Sequence, residues 1–170
     1  MKKFLLLLVI IAVVVLALAL VPNPLNRKIK GELKAKGYLE YTPEEAMELA
    51  YARCTTCHSE EKMLKYCSRC GPPFIVVVHY MKKYIDIAQK KGGVDVKQLT
   101  DSEAIAITQV WNAVVGNWEG DWRKKDLKKL LENDTALVKF LDVPPEERPI
   151  ERALKGKAAP GAYKYQQEGL

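Results

Sequence analysis

The chain has 170 residues, of which 48% are hydrophobic and 28% are charged, a composition typical of one globular domain and not of a disordered chain. Its formal net charge is +6, but residues 1–30 carry five bases and no acid, whereas residues 31–170 carry twenty-two bases and all twenty-one acids. A nucleic-acid-binding domain needs a basic stripe within its folded part. The nearly neutral remainder therefore argues against nucleic acid as a partner.

An uninterrupted apolar run of eighteen residues extends from Phe4 to Val21. A helix of that length measures about 27 Å, enough to cross the hydrocarbon core of a bilayer. We interpret residues 1–26 as an N-terminal membrane anchor; the alternative is a secretory signal segment with Lys2 and Lys3 as its basic start. Both interpretations place the rest of the chain on the periplasmic side of the inner membrane. The bases that follow the run favour the opposite orientation by the positive-inside rule, although long following domains override that rule.

The rest of the chain predicts helices, because no strand-like alternation of apolar and polar residues is present. A charged stalk is expected over residues 27–41. Thr42 and Thr100 are each followed three residues later by glutamate, the pattern of a capping box that opens a helix. The expected helices run from Thr42 to about Cys54, from Phe74 (after a cysteine-rich loop) to Lys91, from Thr100 to about Trp118 with a break at Gly120, from Asp121 to Asn133 and from Thr135 to Asp142. Residues 42–142 are thus predicted to form a small all-α domain, and residues 143–170, with four prolines, an extended tail.

All four cysteines lie within seventeen residues, at Cys54, Cys57, Cys67 and Cys70. The first pair is followed directly by His58, which gives the C-x-x-C-H pattern of covalent c-type haem attachment. Two thiols three positions apart can each form a thioether with the same porphyrin, and the next histidine then lies under the iron as the proximal ligand. The motif therefore predicts one haem c on Cys54 and Cys57. A structural disulfide, a redox dithiol and a zinc half-site are the alternatives for this pair.

The stretch from Thr42 to Trp118 resembles the small monohaem c-type cytochromes. In that family a first helix runs into the C-x-x-C-H motif, as the helix that begins after Thr42 does here, and a final helix packs across the first. Residues 99–107 look like the start of that final helix. The resemblance implies a class I-like cytochrome c domain that transfers single electrons. It also implies that a later segment supplies the distal iron ligand, usually a methionine.

Met81 lies 23 residues after His58, the position that a related subgroup of the family uses for its distal methionine. On the predicted helix Met81 shares the apolar face with Phe74, so burial favours it as the distal ligand. His79 lies about 200° around the helix from Met81, so the two cannot both face one iron. His79 is the alternative ligand, or else a surface histidine with Met81 in ordinary core packing. Only two histidines are present and Cys70 is followed by glycine, so the sequence provides for a single haem.

Cys67 and Cys70 are left without a role in haem attachment. In an exported domain we expect a disulfide between them. A second hypothesis takes all four cysteines as a zinc site of an assembly or regulatory module, which requires a cytoplasmic location. A third hypothesis is a non-redox accessory subunit of a membrane complex, whose thiols form two disulfides.

No glycine-rich phosphate loop and no nucleophile–base pair is recognisable in the sequence, so we expect an electron carrier and not an enzyme. An anchored carrier would exchange electrons with a redox partner protein, or with an integral membrane respiratory or photosynthetic complex of which it is a subunit. Trp111, Trp118 and Trp122 are expected to pack in the core. The alternative for the last two is to shield a haem edge or to anchor a partner protein.

Overall fold

The computed structural model describes residues 24–64, 71–92 and 95–156, and every regular element in these ranges is helical. The absence of strands from these ranges confirms the predicted all-α class for this part of the chain. The α-helices are α1 (Pro24–Ala35), α2 (Pro43–Thr55), α3 (Glu60–Leu64), α4 (Phe74–Lys90), α5 (Asp101–Val115), α6 (Lys124–Leu130), α7 (Thr135–Leu141) and α8 (Pro149–Leu154), and two short 3₁₀ helices span Glu119–Asp121 and Pro145–Glu147.

Two compact units divide the chain, Met1–Leu33 and Lys34–Leu170. The first unit contains most of α1, a helix of 12 residues that occupies part of the predicted stalk, residues 27–41. No helix in the described ranges has both the length and the apolar character needed to cross a bilayer. The predicted span, residues 4–21, lies outside those ranges and stays a prediction.

Both predicted capping boxes are present, and they fix where α2 and α5 begin. The Glu45 N–H donates to the Thr42 hydroxyl at 3.3 Å, and the Thr42 N–H donates to the Glu45 carboxylate at 2.9 Å. Thr100 and Glu103 repeat the two bonds at the start of α5. A cap of this kind adds about 1 kcal/mol to the free energy of unfolding, so short-range contacts determine where both helices start. The Lys34 ammonium also binds Glu45 and is the main reason why the pKa of this carboxyl is lowered.

Helix α5 ends earlier than the sequence predicts. The expected end is about Trp118 with a break at Gly120, whereas α5 ends at Val115. Gly116 follows with a φ of 103°, a conformation that glycine adopts without the steric cost paid by other residues. Because α5 stops at Gly116, Trp118 lies outside the helix. Its Nε1 donates at 3.1 Å to the carbonyl of Gly71, a residue that precedes the start of α4.

Helix α5 is the centre of the second unit. It packs against α2, α4, α7 and α8, and 11 of its 15 residues are buried. Helix α2 presents small side chains to this core, Ala46, Ala50 and Cys54, at steps of four residues. The buried strip on α2 therefore leads directly to the first cysteine of the motif.

The prediction of an extended tail over residues 143–170 is wrong for the first half of that range. Helix α8 lies within it and packs against α2 and α5, with Ile150 and Leu154 buried. Few large apolar residues mark this segment in the sequence, because much of what holds it is polar. Residues 157–170 of the predicted tail lie outside the described residues.

A buried charged network holds α8 against the core. Arg148 is 1% exposed and donates to the two carboxylate oxygens of Glu119 at 3.0 and 2.7 Å, and to Glu151 at 3.2 Å. Asn112 of α5 donates to the same two carboxylates at 3.0 and 3.3 Å. The guanidinium carbon also lies 4.3 Å from the centroid of the Phe140 ring. The helix is therefore fixed by ion pairs that a search for apolar periodicity does not detect.

A second polar cluster joins α4 to the start of α7. Asp134 caps α7 by accepting from the Leu137 N–H at 3.2 Å, and it accepts from Lys82 Nζ at 2.7 Å. Its carboxylate also lies 3.4 Å from Nδ1 of His79. Burial opposes ionisation of this carboxyl, but the bonds from Lys82 and the helix start outweigh burial and lower the pKa of Asp134.

This cluster is expected to make stability sensitive to acid. A carboxyl whose pKa is lowered by folding stabilises the native state above its unfolded pKa of about 3.9, and this contribution is lost as pH falls through the lower folded value. The loss of unfolding free energy caused by Asp134→Asn, measured in urea, should be largest above about pH 5 and should shrink toward about pH 2. Asp126→Asn, which removes an exposed partner of Arg123, is the control and should have little effect at any pH. A loss that does not vary with pH for Asp134→Asn would contradict the prediction.

Candidate functional site

A cavity of about 160 Å³ lies among the end of α2, α3, α4 and α5. Three residues that the sequence assigns to haem binding, Cys54, His58 and Met81, line it together. The lining comprises Cys54, His58, Lys62, Met63, Phe74, Val77, Met81 and Trp111. Residues from separate segments of the chain are therefore brought to one largely apolar place.

The end of α2 positions the cysteine motif. The N–H groups of Cys57 and His58 both donate to the Cys54 carbonyl, at 3.2 and 3.0 Å, so the chain turns tightly after the helix. This turn leaves Cys54 buried, His58 half-buried and Cys57 exposed. Cys57 is not among the residues that line the cavity, so only one of the two thiols predicted to carry haem faces it.

Helix α4 and helix α5 supply the aromatic part of the wall. Phe74 and Met81 lie on the same face of α4, as the periodicity predicts, and both line the cavity. The Phe74 ring stacks on Trp111, with centroids 5.7 Å apart and 20° between the planes. It meets Trp118 edge to face at 6.3 Å. Contacts with two tryptophans therefore fix the orientation of the Phe74 ring.

Two further lining residues, Lys62 and Met63, lie on α3, where the sequence predicts a loop. Met63 is buried and places a second thioether at the cavity. Lys62 carries the only permanent charge among the residues that line the cavity, and its ammonium has no ion pair within the described ranges. From the sequence, Met63 lies too close to His58 to reach the opposite face of a haem without a sharp reversal of the chain, and Lys62 has no assigned role. Both residues reach the cavity because α3 folds back after the motif.

Trp111 is a cavity residue that the sequence assigns only to core packing. Its side chain is buried, and within the described ranges Nε1 has no oxygen or nitrogen acceptor, although it lies close enough to the Cys54 thiol to lower the pKa of that thiol. A buried donor without a partner is costly, and a buried tryptophan usually finds an acceptor for its N–H. Because sulfur is a weak acceptor, this buried donor fits a bound group that brings an oxygen acceptor into the cavity.

Burial raises the pKa of the Cys54 thiol, although the neighbouring Trp111 and Arg53 partly oppose the rise. In the reduced, haem-free chain we therefore expect iodoacetamide to label Cys57 several-fold faster than Cys54, because exposure and thiolate content set the rate. Tandem mass spectrometry of the tryptic peptide that ends at Lys62 assigns the label to each thiol. Labelling in urea is the control and should equalise the two rates. Equal rates in the folded chain would contradict the prediction.

His79, the alternative distal ligand, is not among the residues that line this cavity. It is 5% exposed, so the interpretation as a surface histidine is wrong. Instead it lines a separate polar cleft of about 380 Å³ together with Lys82, Asp101 and Asp134. Met81 and His79 thus belong to two different sites on α4, as their angular separation predicts.

The second cysteine pair, Cys67 and Cys70, lies outside the described residues. The predicted disulfide between them and the four-cysteine zinc hypothesis therefore stay predictions. In the ranges that the structure describes, no group of three or more histidine, cysteine, aspartate or glutamate side chains could hold a metal ion.

The side chains of the cavity suit a covalently bound haem. A thiol suits attachment to the porphyrin, an imidazole and a thioether suit the two axial positions of the iron, and an indole N–H suits a propionate oxygen. No protein-family model, curated protein or solved structure matches this chain.

Proposed function

We propose that this protein carries single electrons on one covalently bound haem c. The cavity that gathers Cys54, His58 and Met81 is the observation that supports this most. These residues come from the end of α2, from the turn after it and from the middle of α4. A thiol, an imidazole and a thioether around one apolar cavity provide one attachment site and two groups that bind iron, and the exposed Cys57 three residues after Cys54 would supply the second thiol.

Each residue has a distinct role in this proposal. Cys54 and Cys57 would hold the porphyrin through thioether bonds, and His58 and Met81 would bind the iron. When bound, haem c supplies a reversible one-electron couple between ferric and ferrous iron. The apolar and aromatic wall excludes water, and methionine ligation favours the ferrous state relative to ligation by two histidines.

Two polar side chains at the cavity add to this role. The N–H of Trp111 would donate to an acceptor on the bound group, and the positive charge of Lys62 would favour the less positive, reduced iron. The cavity, at about 160 Å³, is smaller than the roughly 300–1,000 Å³ of most small-molecule sites. It would therefore enclose only part of a porphyrin, and the edge left outside would be accessible to a redox partner.

The location and the partner are part of the same proposal. Residues 4–21 would anchor the carrier in the inner membrane, with the helical domain on the periplasmic side. Such an anchor raises the effective concentration of the carrier beside an integral respiratory or photosynthetic complex. A redox protein of this membrane is therefore the proposed class of electron donor or acceptor.

The absorption spectrum of the unfolded chain tests the proposal. Full-length protein made with c-type maturation machinery is purified and then unfolded in guanidinium chloride, so that only covalently bound haem stays with it. We expect one haem for each natural chain and almost none for the double variant Cys54→Ala, Cys57→Ala. The matched control, Cys67→Ala with Cys70→Ala, should keep its haem. A natural chain without pigment would contradict the proposal, and one zinc ion for each chain would then support the zinc module.

A further inference from the structure

Helix α1 carries two large apolar side chains that are exposed on one face. Ile29 is 48% exposed and Leu33 is 37% exposed. They are four residues apart, so they lie one above the other on the helix surface. Single exposed apolar residues are common, but a paired strip on a short charged helix is a surface suited to an apolar neighbour.

Basic residues border this strip. Lys28 and Lys30 lie about 100° to either side of Ile29 around the helix axis. Between Pro24 and Leu33 the sequence has three bases and one acid. Lysine stems can cover the edge of an apolar strip while their ammonium groups reach the phosphates of lipid headgroups. The face is therefore complementary to a surface that is apolar below and negatively charged above.

The position of α1 in the chain indicates which surface this is. The helix begins at Pro24, three residues after the end of the apolar run at Val21. Its 12 residues are too few to cross a bilayer, whereas a basic amphipathic helix of this kind is suited to lie in the plane of the membrane interface. We propose that α1 is an interfacial helix that binds anionic phospholipid headgroups beside the predicted membrane anchor.

The bases after the apolar run then have a second role, that of binding lipid headgroups. Under the positive-inside rule alone, they oppose placement of the domain in the periplasm. As ligands of anionic headgroups they act after insertion and on either side of the membrane. The inference does not depend on haem binding.

Hydrogen–deuterium exchange on the full-length protein in lipid vesicles tests the proposal. Vesicles of phosphatidylcholine alone are compared with vesicles that also contain phosphatidylglycerol. We expect the amides of residues 27–33 to exchange several-fold more slowly on the anionic vesicles, and the difference to shrink as salt is added. Equal exchange on the two kinds of vesicle would overturn the proposal, and a protein partner would then be the remaining candidate for this face.

Variants of the two halves of the surface make the test specific. Ile29→Glu with Leu33→Glu, and separately Lys28→Gln with Lys30→Gln, should each abolish the slowing on anionic vesicles. Glutamate and glutamine are good helix formers, so the loss would not reflect loss of α1 itself. The matched control is Ile87→Glu, because Ile87 is 45% exposed on another helix, and it should leave the slowing intact. Slowing that survives either double variant would overturn the proposal.

Discussion

Replacing Arg148 with methionine is expected to lower the free energy of unfolding by about 3–5 kcal/mol, because removing one partner of a buried ion pair leaves charge uncompensated. The side chains of Arg148, Glu119 and Glu151 are 1%, 8% and 7% exposed. Neither carboxylate could reach bulk water without moving α8 away from the core. The cost therefore reflects two buried anions that lose their only cation in the network.

The effect should extend to the proposed haem cavity. Glu119 directly follows Trp118, whose ring meets Phe74 at 6.3 Å. Phe74 in turn stacks on Trp111, and both line the cavity. We therefore expect Arg148→Met to loosen the aromatic wall as well as α8, and to reduce the amount of bound haem under the proposed function.

Urea unfolding followed by circular dichroism measures this prediction. Arg123→Met, which removes an exposed ion pair with Asp126 of 2.6 Å, is the matched control and should cost less than about 1 kcal/mol. Arg148→Lys keeps the charge but not the paired bonds to Glu119, so its cost should be intermediate. Combining Arg148→Met with Glu119→Gln and Glu151→Gln should recover part of the lost free energy of unfolding. An Arg148→Met chain as stable as the natural one would contradict the account of the network.

The helix starts could be predicted from the sequence because short-range chemistry determines them. The capping boxes at Thr42 and Thr100 involve only residues three apart, and both are present in the structure. The predicted end of α4 at Lys91 differs from the observed end by one residue. In contrast, α8 is fixed by contacts between Arg148 and Glu119, which are 29 residues apart, and no local sequence pattern predicts these contacts.

In the candidate site, too, the sequence predicts what depends on local spacing and does not predict what depends on long-range packing. The spacing of Cys54 and His58 indicates a chemistry, and helical periodicity places Met81 on the buried face of α4. Neither property reveals that Met63 and Trp111 share the cavity with them. Which part of a buried face lines a cavity depends on how several helices pack, so these residues could be identified only in the folded chain.

Under the proposed function, Met81→Ala should abolish the long-wavelength charge-transfer band of ferric methionine-ligated haem and lower the reduction potential. A thioether on the iron favours the ferrous state, and alanine offers no ligand in its place. Absorption spectra of the ferric protein and a redox titration measure the two effects. Met81→His should restore two axial ligands without the band and with a lower potential than the natural chain.

The cavity supplies the controls that decide this assignment. Met63→Leu removes the other thioether that lines the cavity, and the band should survive it. His79→Ala should leave the band in place, because His79 lies in the separate polar cleft and faces Asp134. A band that survives Met81→Ala and disappears with Met63→Leu would show that α3, and not α4, supplies the distal ligand. Because both variants keep Cys54, Cys57 and His58, covalent attachment should be unchanged in each, which separates a wrong ligand from a wrong function.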